Sequence, residues 1–190
     1  MWGCGHNYYG RLGNDDTSTR ITTPVRIMDD VSTVAAGGYH VLAVKTDGSL
    51  WTWGHNEQGQ LGDGTKTDRS APMKIMDNVA SVAGGSYDSY IVKKDGSLWA
   101  CGWINGRYSE SSSYQLTPKK IMDNVKSVSS GTGSTLVVKT DGSLWSFGSN
   151  DDGQLGDGST EYGDYPDKIM DGVQFVSTSE GGVFFIIHLL

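Results

Sequence analysis

The stretch DGSLWTWGHNEQGQLGDG, Asp47–Gly64, decides how this 190-residue chain is read. It returns as DGSLWSFGSNDDGQLGDG at Asp141–Gly158, and a looser version, CGHNYYGRLGNDD, opens the chain at Cys4–Asp16. Working outward, the tripeptide IMD stands at Ile27, Ile75, Ile121 and Ile169, in steps of 48, 46 and 48 residues. DGSLW begins at Asp47, Asp95 and Asp141, in steps of 48 and 46. Self-similarity at this period is the signature of a solenoid, a propeller or an array of small domains. Four units fill the chain, approximately 1–48, 49–96, 97–142 and 143–190 of one repeat domain.

Each unit is written in strands. Val79–Gly102, VASVAGGSYDSYIVKKDGSLWACG, alternates short Val-, Ile-, Tyr- and Trp-rich runs with Gly-rich breaks. The KKDGS and KTDGS segments between apolar runs read as hairpin turns. Four strand candidates recur per unit: SLWxxG, PxKIM, VxSV and YIVK. No sustained 3.6-residue apolar period appears, so no long helix is expected. Four antiparallel strands per repeat predict an all-β chain of β-propeller blades.

With those residues in view, the pattern LWxxGxNxxGQLGxG, followed by Pro72 and VASVAGG, resembles the repeat of the regulator of chromosome condensation family. The resemblance covers essentially the whole chain as four units, and the near-uniform TDGSLW segments look like bacterial arrays. Family members usually close a ring of seven blades. Here the chain opens inside one strand type and ends inside the preceding one, so closure would pair the N- and C-terminal strands or join several chains. A closed four-bladed ring, a ring built by homo-oligomerisation and a piece of a seven-bladed protein all stay open. The residues expected at that junction are Trp2, Phe184, Phe185, Ile186, Ile187, Leu189 and Leu190. An unpaired VFFIIHLL edge would be sticky.

Composition narrows the function classes. A net charge of −7 and no basic cluster argue against nucleic acid as a partner. No apolar run is long enough to cross a bilayer as a helix, so no membrane is expected. Repeat sequence starts directly after Met1, and no leader is expected; the compartment is left open.

Chemistry-bearing residues are sparse. Trp2, Trp51, Trp99 and Trp145 share one repeat position and read as core between blades. Cys4, Trp53, Cys101 and Phe147 lie two residues on, on the same strand face, as a buried column rather than a disulfide pair. The GQLGDG glycines lack the following Lys and Ser/Thr of a phosphate loop. Asp151, Asp152 and Asp157 lack the downstream Glu of a calcium loop. The four histidines form no zinc-ligand spacing. No Gly-x-Ser-x-Gly elbow occurs. No metal, cofactor or catalytic residue is expected, and the chain reads as not an enzyme.

The unit at Cys101–Asp123, CGWINGRYSESSSYQLTPKKIMD, keeps both ends of the repeat and loses its middle. Gly102 to Met122 spans 20 steps against 22 for Gly54 to Met76. Trp103 stands where His55 and His6 stand, and Ile104 where Asn56 and Asn7 stand. With Arg107, Tyr108 and Tyr114 these are residue types enriched at binding hot spots. Tyr8, Tyr9 and Arg11 vary the first unit in the same way. Drift in one blade is the alternative. The reading is a non-enzymatic protein–protein interaction platform whose partner is another protein, and itself through the terminal strands. The alternatives are an exchange factor for a small GTPase, as the founding member of the family implies, and a carbohydrate-binding surface protein.

Overall fold

In a computed structural model, residues 1–16, 18–104, 114–179 and 182–187 are described. All regular structure among them is β-strand apart from one short 3-10 turn, Tyr8–Gly10. Three complete four-stranded antiparallel sheets follow one another. The first is β3 (Val31–Ala36), β4 (His40–Lys45), β5 (Leu50–Gly54) and β6 (Arg69–Met76). The second is β7 (Val79–Gly84), β8 (Asp88–Lys93), β9 (Leu98–Gly102) and β10 (Gln115–Met122). The third is β11 (Val125–Ser130), β12 (Ser134–Lys139), β13 (Leu144–Gly148) and β14 (Gly163–Met170). Strands pair in chain order within each. These are the predicted blades, offset from the sequence units so that VxSV is the first strand and PxKIM the last.

Two-stranded sheets flank them: β1 (Trp2–His6) with β2 (Arg20–Arg26), and β15 (Val173–Ser179) with β16 (Gly182–Ile187). The first pair corresponds to the outer half of a blade and the second to the inner half. β1 and β16 are not paired with each other in this structure, so each carries a free edge. Phe184, Phe185, Ile186 and Ile187 on β16, and Trp2 on β1, are exposed there. Leu189 and Leu190 lie outside the described residues.

The repeated motifs have local physical reasons. In the DGS turn, the Asp47 carboxylate accepts from the Ser49 N–H (2.8 Å) and hydroxyl (2.6 Å), and Ser49 Oγ accepts the Trp51 indole N–H (3.0 Å). Asp95–Ser97–Trp99 and Asp141–Ser143–Trp145 repeat that arrangement. The serine bonds hold all three carboxyls below their ordinary range. This Trp column is half-buried and flanked by Lys45, Lys93 and Lys139, while Trp2 is exposed. It lies at the rim of the core between blades, with Trp99 and Trp145 packed against the core clusters, and the exposed Trp2 departs from that expectation. The deeper column is Trp53, Cys101 and Phe147. Cys4 departs from it and is exposed, because β1 has no inner strand beside it.

Core lies between blades. Leu42, Val44, Leu50, Val79 and Ile91 fill the first junction. Tyr90, Val92, Leu98, Val125, Val137 and Phe147 fill the second. Leu136, Val138, Leu144, Val173 and Val176 fill the third. Backbone bonds add a repeated latch, with Val79, Val125 and Val173 N–H groups donating to Gly48, Gly96 and Gly142 carbonyls at 2.8–2.9 Å.

Candidate functional site: an aromatic band on the loop face

The GxNxxGQLG loop after β5 is built around one side chain. Asn56, fully buried, accepts from Leu61 N–H at 3.0 Å and donates to Asp63 Oδ1 (3.0 Å) and the Thr65 and Thr67 carbonyls (3.1 Å). Asn150 does the same with Leu155, Asp157 and Ser159. Asn7 bonds Leu12 N–H and the Asp16 carbonyl. A loop so organised locks onto the next blade: the Gln60 carbonyl accepts from Ser89 Oγ (2.7 Å) on β8. The Arg11 carbonyl accepts from the Trp53 indole (2.9 Å).

In the divergent unit that organiser is Ile104. It is 2 % exposed and packs with Tyr90, Val137 and Phe147. The sequence reading placed Ile104 on a partner surface; the structure corrects this, because an apolar side chain in the asparagine's inward position joins the core. Losing the amide removes the bonds that shape the loop elsewhere, which explains why this copy keeps its ends and not its middle. Arg107 and Tyr108 lie outside the described residues.

Around these loops the structure assembles a continuous row of rings. His6 meets Tyr8 edge-on at 4.1 Å, and Tyr8 leads to Tyr9 at 6.5 Å. Tyr9 touches Tyr39 (5.5 Å) and His55 (4.4 Å). His55 leads to Tyr87 and Tyr87 to Trp103, each at 6.3 Å. Exposure is 50 % for Tyr8, 47 % for Tyr9, 40 % for Tyr39 and 56 % for Trp103. The backbone repeats beneath: His55 N–H donates to Tyr39 O and Trp103 N–H to Tyr87 O, both 2.9 Å, and Ser149 N–H to Gly133 O at 2.8 Å. Trp103 thus occupies the position of His55, as the alignment of the repeats predicts. The third blade carries Gly133 and Ser149 where its predecessors carry Tyr and His or Trp.

Sequence reasoning found Tyr8, Tyr9 and Trp103 and missed Tyr39, Tyr87, His6 and His55 as members. The signal was present: Tyr39 and Tyr87 are one repeat apart. Arg11 belongs to the support beneath the rings. Its guanidinium donates to the His6 carbonyl (2.8 Å), contacts His6 Nδ1 and lies 5.3 Å from the Tyr39 ring centre. Tyr114 stands apart, its ring under Lys66 Nζ at 4.2 Å. Tyr9 holds a left-handed φ of 61°. For a bulky residue that is unfavourable by about 1–2 kcal/mol, and such strain clusters at functional loops.

Buried ionisable groups lie under the row. His40 Nε2 bonds Ser89 Oγ at 2.8 Å. Ser89 gives its one proton to Gln60 O, so His40 is the donor and holds its proton on Nε2, leaving Nδ1 buried without a partner. Burial pushes His40 down to about 4. Asp88, one repeat later at the same position, is pushed up to about 7, again by burial. Cys101 is pushed up to about 12 by burial, which makes it an inert thiol.

The comparisons fit this architecture. The family model described as "Regulator of chromosome condensation (RCC1) repeat" matches residues 1–44, 47–92 and 141–186, and a second model of the same description matches 31–60 and 125–154. Human E3 ubiquitin-protein ligase HERC2 is 40 % identical over 67 residues, 34 % of this chain and 1 % of that protein. The crystal structure of human WBSCR16 superposes with a TM-score of 0.81 at 24 % identity, over 94 % of this chain and 50 % of that one. Prp20p of Saccharomyces cerevisiae, whose structure was described with its binding properties to Gsp1p and histones, superposes at 0.79 and 22 % identity, over 97 % and 50 %. This chain therefore spans about half the length of those solved relatives and a far smaller share of the ligase. With repeat models covering most of its length and blades of the same fold, the chain belongs to the regulator of chromosome condensation (RCC1) repeat family.

Proposed function

We propose that this chain is a non-enzymatic platform that docks another protein on its loop face. The observation that carries the reading is the unbroken row of rings from His6 to Trp103, spread over consecutive blades and partly open to solvent. Tyr and Trp offer large contact area with few rotatable bonds, and rigid blades beneath variable loops are a common basis for recognition. Strain at Tyr9 adds support, since its ring is held against His55 and Tyr39 in a backbone conformation the local chain disfavours. Prp20p, whose structure was described with its binding properties to Gsp1p and histones, has the same blades, which supports the class of role.

The test is a triple substitution, Tyr9→Gly, Tyr39→Ala and Trp103→Ala, with partner affinity and thermal stability measured side by side. The reading expects a melting temperature within a few degrees of the parent and at least about a tenfold loss of affinity, the scale of one hot-spot aromatic. Unchanged affinity in a folded variant would contradict it. A GTPase exchange role is separated by nucleotide release, which the platform reading expects to be unaffected by the protein.

A further inference from the structure

Beside Trp103, a cavity of about 310 Å³ opens between the second and third blades, lined by Tyr87, Asp88, Trp103, Gly133, Ser149 and Tyr162 among others. Its origin is the change of residue type from blade to blade. Gly133 stands where Tyr39 and Tyr87 stand, and Ser149 where His55 and Trp103 stand, so the space those rings fill at the first junction is open here. Gly133 has φ 85°, which a tyrosine would not adopt without strain.

Among the residues lining the cavity is Asp88, a carboxylate with no cation beside it among the described residues. Asp88 and Tyr90 alternate onto one face of β8, and Tyr90 meets Phe147 of the third blade at 6.0 Å, so both side chains lie in this junction. Asp88 Oδ2 accepts from the Tyr90 hydroxyl at 3.0 Å. A Cβ on Gly85 would come within 1.9 Å of Asp88 Oδ1, so glycine there is what lets the carboxyl fit. No basic side chain among the described residues forms an ion pair with Asp88. The groups around it among the described residues are Tyr90, Cys101, Ser130, Thr135 and the tyrosines at the cavity mouth, with the His40 imidazole, which burial keeps neutral, beside the Asp88 main chain; none of them carries a positive charge at neutral pH.

We propose that this cavity receives a basic side chain, lysine or arginine, of the partner protein, stacking it between Trp103, Tyr87 and Tyr162 and setting its charge against Asp88. The proposal deepens the platform reading and rests on it for the partner, although the pocket itself is testable without one. Aromatic faces attract cations through their quadrupoles, and more strongly where water is thinned. A buried, unpaired carboxylate is the complement, and the net charge of −7 favours a basic partner. Because burial holds Asp88 near 7, entry of a cation stabilises its ionised form, so binding strengthens as pH rises through that value.

The test uses N-acetyl-lysine methylamide and N-acetyl-arginine methylamide as probes, with the neutral N-acetyl-norleucine methylamide as control. The readout is the NMR shift of the Trp103 indole and Gly133 amide in the whole chain. Saturable shifts in about the millimolar range are expected for the two cations, as suits ligands of this size, and none for norleucine. Between pH 8 and pH 6 affinity should fall about tenfold, following the ionised fraction of one carboxyl. Asp88→Asn should abolish the cation preference. Ser149→Trp, which fills the cavity from a half-buried position on its wall, should abolish binding and remains decisive if the first variant does not fold. Equal shifts from norleucine, or binding that survives Ser149→Trp, overturns the proposal. Failure of these probes leaves loss of partner affinity in the ring variants untouched, so the two readings fail separately.

Discussion

Replacing Asn56 with Ala isolates the device that makes one blade grip the next. The side chain is fully buried and bonds the Leu61 N–H, Asp63 and two loop carbonyls. Leu61 is itself buried, so its N–H would be left unsatisfied, at about 1–3 kcal/mol. The Thr65 and Thr67 carbonyls lie at the loop surface and regain water, so their bonds add only about 1 kcal/mol together. The expected loss is about 2–4 kcal/mol, or roughly 4–16 °C in melting temperature for a chain of this length. Urea unfolding with hydrogen exchange at the Leu61 amide is the assay. Exchange should accelerate there, because its acceptor, Asn56 Oδ1, is removed. A change below about 0.5 kcal/mol, within the range of ordinary surface substitutions, would refute the claim that this amide organises the loop.

Three further outcomes are expected. Ile104→Ala should lose about 2–4 kcal/mol of stability, as a core truncation does, and leave partner affinity unchanged once folding is controlled; a surface residue would show the reverse. Asp88 and His40 should act on stability with opposite signs. Asp88, raised from 3.8 to about 7, contributes stability that is full below the unfolded value and is lost as pH rises to 7. His40, lowered from 6.5 to about 4, makes the native state lose ground as pH falls from 6.5 to 4. Asp88→Asn should therefore lose stability more steeply than the parent between pH 7 and pH 4, by on the order of a few kcal/mol, and parallel urea-midpoint profiles would refute this. The free edges of β1 and β16 are complementary halves of a blade, so light scattering should find species above 20.4 kDa that Phe184→Lys shifts toward the single chain; a concentration-independent 20.4 kDa species in the parent counts against pairing between chains.

The blades were legible because each strand and turn is written several times. The DGS turn, the left-handed position after IMD at Asn78 and Asn124, and the Asn-centred loop are local devices, and local devices repeat in sequence. Their burial was less legible. Trp51 and Trp53 are both aromatic on one strand face, and only packing of the neighbouring blade separates the half-buried rim from the core. Ile104 misled for a related reason: a change of residue type at a loop position reads as a released surface, whereas the position itself points inward. Tyr39 and Tyr87 were overlooked because each alone looks like an ordinary strand-start aromatic. Their meaning arises from the stacking of blades, which places residues far apart in the chain ring against ring. Asp88 carried no sequence signal beyond alignment with His40, since its unpaired burial depends on what the third blade lacks.

The most direct test of the platform reading is photocrosslinking from single positions in cells that make the protein. A benzophenone side chain would replace Tyr9, Tyr39 or Trp103 on the loop face, and Lys74 or Lys120 on the last strands of two blades as controls. The account predicts that the three ring positions yield the same protein adduct, as one band of one mass, and that the lysine positions do not. Adducts of equal yield at all five positions, or none at the rings while the lysines react, would contradict it.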